Sequence, residues 1–232
     1  MRSRRGPVDD QLCMKAIAKR LVYGCAWLAV RPRLCGLAVT SWLLGRDEAF
    51  AKASESVAAV GGYWGLAVRE AFYRSTLTRV GRHVHIGYGT VFSKRDAWVG
   101  DHVFLGRYCT VGRAVIRRHV LIADHVQILS GRHHHPQNAP HQPPLKLDGL
   151  RKDEAARQIA ERRRRGRTGS ESPISVTLGE RTWVGGGAVV MADVGARAVV
   201  AAGAVVVKPV GHDMKVGGVP ARTLESRERK AA

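Results

Sequence analysis

From Val80 onward, large aliphatic or aromatic residues recur at Val80, Ile86, Phe92, Val99, Leu105, Val111, Ile116, Ile122 and Ile128. The step is six, with one insertion before Val99 and one deletion before Ile116. The position after each anchor is small at Gly81, Gly87, Gly100, Gly106, Gly112 and Ala123, and the position four after is compact at Val84, Thr90, Val103, Cys109, Val115, Val120 and Val126. Three columns in register define an internal repeat. The frame returns at Leu178, Val184, Val190, Val200 and Val206, with small followers Gly179, Gly185 and Ala201 and compact partners Thr182, Ala188, Ala204 and Val210; near Val194 a step of four replaces one of six. A short strand and a corner per unit, three units per turn, close a triangular coil that buries its anchors against the coils above and below. Small residues suit the corners, where a bulky β-carbon would clash. Strings of hairpins would instead show period-2 alternation and Asn-Gly or Asp-Gly turns, which the repeat lacks. About five coils are expected.

Residues 1–79 follow a helical pattern. Asp9 and Asp10 give a start signal, Pro32 breaks the pattern, Asp47 with Glu48 opens a further segment, and Gly61 and Gly62 interrupt it. Leu21 to Leu44 is apolar, but Arg-Pro-Arg at 31–33 cuts it into runs of about ten residues where a spanning helix needs about twenty. Two short helices joined at Pro32 are expected. Trp27, Trp42, Arg31 and Arg33 suit a helix lying in a lipid headgroup region; packing as a cap over the open end of the first coil is the other reading. Between the repeat blocks, 132–173 begins Arg-His-His-His-Pro, carries the run ERRRRGR at 161–167, and abandons the period, so it is expected as a basic loop expelled from the stack. The layout is a helical region at 1–79, a repeat domain at 80–224 with that insertion, and a charged tail at 225–232.

Composition narrows this little: 45% hydrophobic and 25% charged residues exclude wholesale disorder. Charge adds more. Thirty-eight Lys and Arg against nineteen Asp and Glu give +19, spread along the chain without one dominant block, which attracts anionic partners of any kind. Cys13, Cys25, Cys35 and Cys109 have no Cys-x-x-Cys spacing and read as reduced core residues. No short apolar stretch leads to a cleavage-type small-residue site, so a cytoplasmic location is expected, with contact at the inner face of the membrane if the N-terminal region binds lipid.

Beyond the repeats, SGRHHH at 130–135, TWVGGGAVV at 182–190, VVVKPV at 205–210 and VGGVPAR at 216–222 resemble the hexapeptide-repeat acyltransferases, left-handed parallel β-helix enzymes that move an acyl group from coenzyme A. The resemblance covers about residues 72–224. It lies nearest the maltose, galactoside and exopolysaccharide O-acetyltransferases, with REAFYR at 69–74 and GTVFSK at 89–94 similar to polysaccharide-biosynthesis members. Departures are the four-residue step at Val194, Val207 where many members have Thr, and the Arg-rich insertion. The resemblance implies a mainly β, left-handed parallel β-helix, a homotrimer, acetyl-CoA or another acyl-CoA as co-substrate without a metal, and a saccharide hydroxyl as acceptor. His133 takes the place of the catalytic base, with His135 the nearest substitute. Lys208 and Arg222 match basic positions suited to the coenzyme phosphates. The backbone of Gly185, Gly186, Ala202 and Gly203 would line the pantetheine arm, and Trp183 would wall the acyl group or acceptor.

The chemistry fits these residue types. A sugar hydroxyl is a poor nucleophile whose proton must leave as its oxygen attacks the thioester, and a neutral imidazole takes such a proton near neutral pH. Protonation of His134 or His135 would disfavour charge on His133 and help keep it neutral. Two other classes are weighed. His102, His119 and His125 each precede a compact Val, and the six-residue spacing of His119 and His125 predicts stacking on successive coils, a geometry that zinc carbonic anhydrases of this fold class use. A non-enzymatic binder is the third: ERRRRGR could meet RNA or lipid, yet the interleaved aromatics of a nucleic-acid stacking platform are missing, and no specific nucleic acid is expected.

Overall fold

The computed structural model describes residues 7–130 and 175–224, with side chains from Leu21 onward except Leu44. The repeat residues form short strands, mostly of two residues, stacked in parallel into three sheets. Face A aligns Val80, Val99, Ile116 and Leu178 and continues through single-residue bridges at Val194 and Val210. Face B aligns Ile86, Leu105, Ile122, Val184, Val200 and Val216. Face C aligns Phe92, Val111, Ile128, Val190 and Val206. The anchor columns expected from the sequence are therefore the three inward ladders of a parallel β-helix of about five coils. Nearly all anchors are fully buried, each contributing about 1.5–3 kcal/mol by leaving water. The four-residue step before Val194 is a shortened corner between faces C and A, and it recurs between Val206 and Val210.

The corners explain the small residues. A β-carbon added to Gly185 would lie 2.5 Å from the Ala202 backbone nitrogen of the next coil, and one added to Gly81 would lie 2.5 Å from the Gly100 carbonyl carbon. The coils stack too closely there for any side chain. The third corner residue has positive φ: His83, His102, His119, Arg181, Arg197 and Asp213 follow face A, while Gly89, Tyr108, His125, Gly187 and Gly203 follow face B. Non-glycine residues accept that conformation at a cost of roughly 1 kcal/mol. Corner N–H groups find partners one coil on: Asp101 accepts from the Arg82 amide and Asp124 from Arg107, each at 2.7 Å, and Asp193 does the same for the strand amide of Thr177.

Four expectations change. Pro32 does not divide two helices: α1 runs unbroken from Pro7–Leu44, with α2 at Arg46–Ala58 and α3 at Gly62–Thr76. Packing of Ala26, Val30 and Leu37 on either side of the proline holds one helix axis, outweighing the hydrogen bond that proline removes. Val115 is half-buried and Ala114 fills the compact position, because the deletion before Ile116 shifts the frame by one; Val210 belongs to the face A ladder. Cys25 and Cys35 are exposed on α1, and only Cys109 of these three is in the core. His119 and His125 do not stack. Six residues is a third of a coil, so they occupy different corners; the stacked neighbours are His83, His102 and His119, with ring centroids 4.9 Å apart, and Tyr108 with His125 at 5.2 Å.

Helices α2 and α3 cap the first coil. A terminal coil leaves backbone groups and apolar side chains without a neighbour, and the helices supply both. Tyr73 packs against Phe92 and Phe72 and donates to the Thr90 carbonyl at 3.2 Å; Ser54 lies 2.7 Å from the Tyr73 hydroxyl and accepts from the Phe92 amide at 3.0 Å. The Gly89 amide donates to the Ala58 carbonyl. Arg69 and Arg74 donate to the carbonyls of Ile86 and Gly81. Helix α1 lies over α2 and α3.

Candidate functional site

Trp183 stands on the outer side of face B, half-exposed, in a column that runs His85, Phe104, Leu121, Trp183, Val199 and Lys215. Gly185, Gly186, Ala202 and Gly203 follow on the corner from face B to face C, on the fourth and fifth coils. Gly185 is buried there, so coil stacking alone accounts for its lack of a side chain. Gly186 is half-buried and Ala202 and Gly203 are exposed; a β-carbon at Gly203 would meet nothing within 4 Å. Arg222 is exposed on the short strand Arg222–Thr223, which folds back antiparallel onto Lys215–Gly217 at the end of face B. Thus Trp183, the three glycines, Ala202 and Arg222 collect along one edge. Lys208 is exposed but sits at the far end of face C, on the corner toward face A. The chain leaves face C at Ser130 in that same corner column, two coils below Lys208. His133 and His135 lie outside the described residues.

This edge offers exposed small-residue backbone, an aromatic wall and a guanidinium, a surface suited to an extended arm ending in phosphate. The described residues contain no group of three His, Cys, Asp or Glu side chains placed to hold a metal ion. The His83, His102 and His119 ladder is a stack of corner side chains.

In backbone trace the solenoid superposes on a maltose O-acetyltransferase from Clostridium difficile 630 with a TM-score of 0.57, at 21% identity over 81% of this chain and 89% of that one. The chain has the hexapeptide-repeat acetyltransferase fold. A hexapeptide-repeat acetyltransferase of Vibrio cholerae O1 biovar eltor, solved with acetyl coenzyme A, matches at 24% identity over 78% of this chain and 87% of that one, with a TM-score of 0.49. No family model matches the chain, and no curated protein does.

A second, concave region has no signature of its own in the sequence. A cleft of about 430 Å³ opens between the start of α3 and the first two coils, lined by Tyr63, Arg69, His85, Tyr88, Arg107 and Tyr108 among others. Burial, then the neighbouring Arg69, and with a smaller contribution Arg107, push the His85 imidazole below its ordinary value, against an opposing pull from Glu70. The ring stacks on Phe104 at 4.5 Å. The sequence signal was REAFYR at 69–74, which carries Arg69 but gives no hint that the helix turns it toward the solenoid.

Proposed function

We propose that the protein transfers an acyl group, acetyl in the first instance, from acyl-coenzyme A to a hydroxyl of a saccharide or polysaccharide precursor, with His133 as general base. The observation that carries this reading is the convergence of Trp183, Gly186, Ala202, Gly203 and Arg222 on one edge of the solenoid. They lie in separate stretches of the sequence, and nothing in the repeat requires an exposed arginine there. The shared fold with a maltose O-acetyltransferase supports the same class.

In this reading Ala202, Gly203 and Gly186 present backbone to the pantetheine arm, Arg222 meets a phosphate, Lys208 adds a second cation, and Trp183 shields the acyl carbonyl from water. His133 accepts the hydroxyl proton as the oxygen bonds to the thioester carbon. The tetrahedral oxyanion then collapses, the carbon–sulfur bond breaks, and the imidazolium returns its proton to the departing thiolate. His135 is the substitute base. The experiment is thiol release from acetyl-CoA against a panel of sugars and nucleotide-sugars, with the acylated product identified by mass spectrometry. Esters on a sugar hydroxyl support the reading, whereas amides on amino-sugars would move it to N-transfer.

Two associations belong to the proposal. Phe104, Leu121 and Trp183 form a contiguous outward apolar column on face B, and a neighbouring copy in a homotrimer covers it. The outward face of α1 presents Leu21, Cys25, Leu28, Cys35, Val39 and Trp42 at steps of three, four and seven, with Trp42 86% exposed. None of the described helices is long and apolar enough to cross a membrane. This helix lies in the headgroup plane of an anionic bilayer, held by its apolar side and by Arg31 and Arg33, and the enzyme works at the cytoplasmic face, where acyl-CoA is made.

A further inference from the structure

The described residues that line the cleft under α3 include two arginines, Arg69 and Arg107, and no carboxylate; Asp124, outside the lining, accepts from the Arg107 backbone amide at 2.7 Å. Arg69 is 3% exposed; its Nε donates to the Ile86 carbonyl at 3.0 Å and an Nη to the Val60 carbonyl at 2.6 Å. Among the described residues no carboxylate pairs with it. The adjacent Glu70 is taken by Arg74 at 2.8 Å. Among the described residues the partners of this buried guanidinium are neutral carbonyls; it retains its charge although burial lowers its proton affinity, and an anion brought beside it is less screened than one at the surface. Arg107 lines the same cleft, as do Gly62 and Tyr63 of the first turn of α3, while His85, which burial and Arg69 hold toward its neutral form, adds ring nitrogens rather than charge. That turn has no side-chain cap and no acidic residue, so its amide ends add positive potential on the same side.

The remaining walls are aromatic. Tyr88 and Tyr108 meet edge to face at 5.5 Å, Tyr108 is held from below by His125 at 5.2 Å, and Tyr63 stands exposed at the mouth. Exposed tyrosine rings beside two arginines complement a ring compound that carries phosphate. The volume lies within the range of small-molecule sites.

We propose that this cleft is a binding site for a phosphate-bearing ring compound, a nucleoside diphosphate or a sugar phosphate. The phosphate lies against Arg69 and Arg107, and the ring packs on Tyr63 and Tyr88 with the edge of Tyr108 beside it. Arg107 belongs to the second coil and Gly186 to the fourth on one corner column. At about 4.8 Å per coil, the cleft therefore lies about 10 Å along the edge from the proposed coenzyme surface and does not overlap it.

The test is calorimetric titration of the full chain, with coenzyme A at saturation so that nucleotides cannot register there, using UDP, glucose 1-phosphate, inorganic diphosphate and uridine as separate probes. The readout is binding, so it stands whether or not acyl transfer is found. The expected result is one site per chain for UDP or glucose 1-phosphate, at least tenfold tighter than for diphosphate or uridine. Whichever of the two binds identifies the source of the phosphate. Arg107→Gln and Tyr88→Ala, both at the cleft surface, should each weaken binding at least fivefold, and Arg82→Gln on a different corner should not. Arg69→Lys serves as a second probe that keeps the charge while losing the fork. No binding of UDP or glucose 1-phosphate at millimolar concentration, or binding that Arg107→Gln and Tyr88→Ala leave unchanged, overturns the proposal.

Discussion

Tyr73 ties the helical cap to the solenoid with a single hydroxyl that meets Ser54 on α2 and the Thr90 carbonyl on the first coil. Burial pushes that hydroxyl up to about 12, so it stays protonated and donating throughout the physiological range. Tyr73→Phe keeps the ring against Phe92 but leaves two buried polar groups short of a partner, and should cost about 1–3 kcal/mol. Urea unfolding of the variant checks this; a change within about 0.5 kcal/mol, the size of an ordinary surface substitution, would show that the seam is held by packing alone. At this scale the sequence was legible wherever one residue type answers one need. Inward anchors such as Ile86, Leu105 and Ile122 must be large and apolar, and they stood out. Residues whose neighbours come from another element did not. Arg69 and Tyr88 look like any arginine and tyrosine until α3 is laid over the first coil, and the exposure of Cys25 and Cys35 cannot be read from their apolar context, which does not say which face of a helix is covered.

The corner and the surface helix are the elements that carry the proposed contacts, and each has its own test. Gly185 and Gly186 are neighbours with opposite surroundings: a β-carbon at Gly185 collides with the next coil, while one at Gly186 comes no nearer than 3.4 Å, to the Asp124 carbonyl oxygen. Gly185→Ala should therefore lower the thermal midpoint by several degrees with little direct effect on coenzyme binding. Gly186→Ala should leave the fold intact and weaken coenzyme A binding in calorimetry several-fold. The reverse pattern would take the coenzyme arm off this corner. For α1, Ala26, Val30 and Leu37 face inward, so deleting the helix would uncover the cap, and surface substitutions are the cleaner probe. Leu28→Glu with Trp42→Glu should abolish co-flotation with anionic vesicles, and salt should weaken the wild-type attachment. A folded double variant that floats as well as wild type would remove the membrane role. The continuity of α1 through Pro32 could not be read from local propensity, because tertiary packing holds the helix across a residue that disfavours it.

For the whole molecule, a solenoid exposing Phe104, Leu121 and Trp183 along one face predicts assembly, and light scattering should report three 25.3 kDa chains per particle; an active single chain would rule out a shared interface as a condition of activity. The architecture was readable because a six-residue period with three columns in register fixes coil, ladder and corner together. The proposed base rests on a motif alone, since His133 stands where the six-residue period stops. The central claim is acyl transfer with that histidine as base. Its most direct test is acceptor-dependent thiol release from acetyl-CoA by the wild type and by His133→Ala, with circular dichroism confirming the same fold. The account predicts release by the wild type with a saccharide acceptor and a loss of about a hundredfold or more in the variant; a folded His133→Ala protein, with His135 intact, that turns over at the wild-type rate would contradict it.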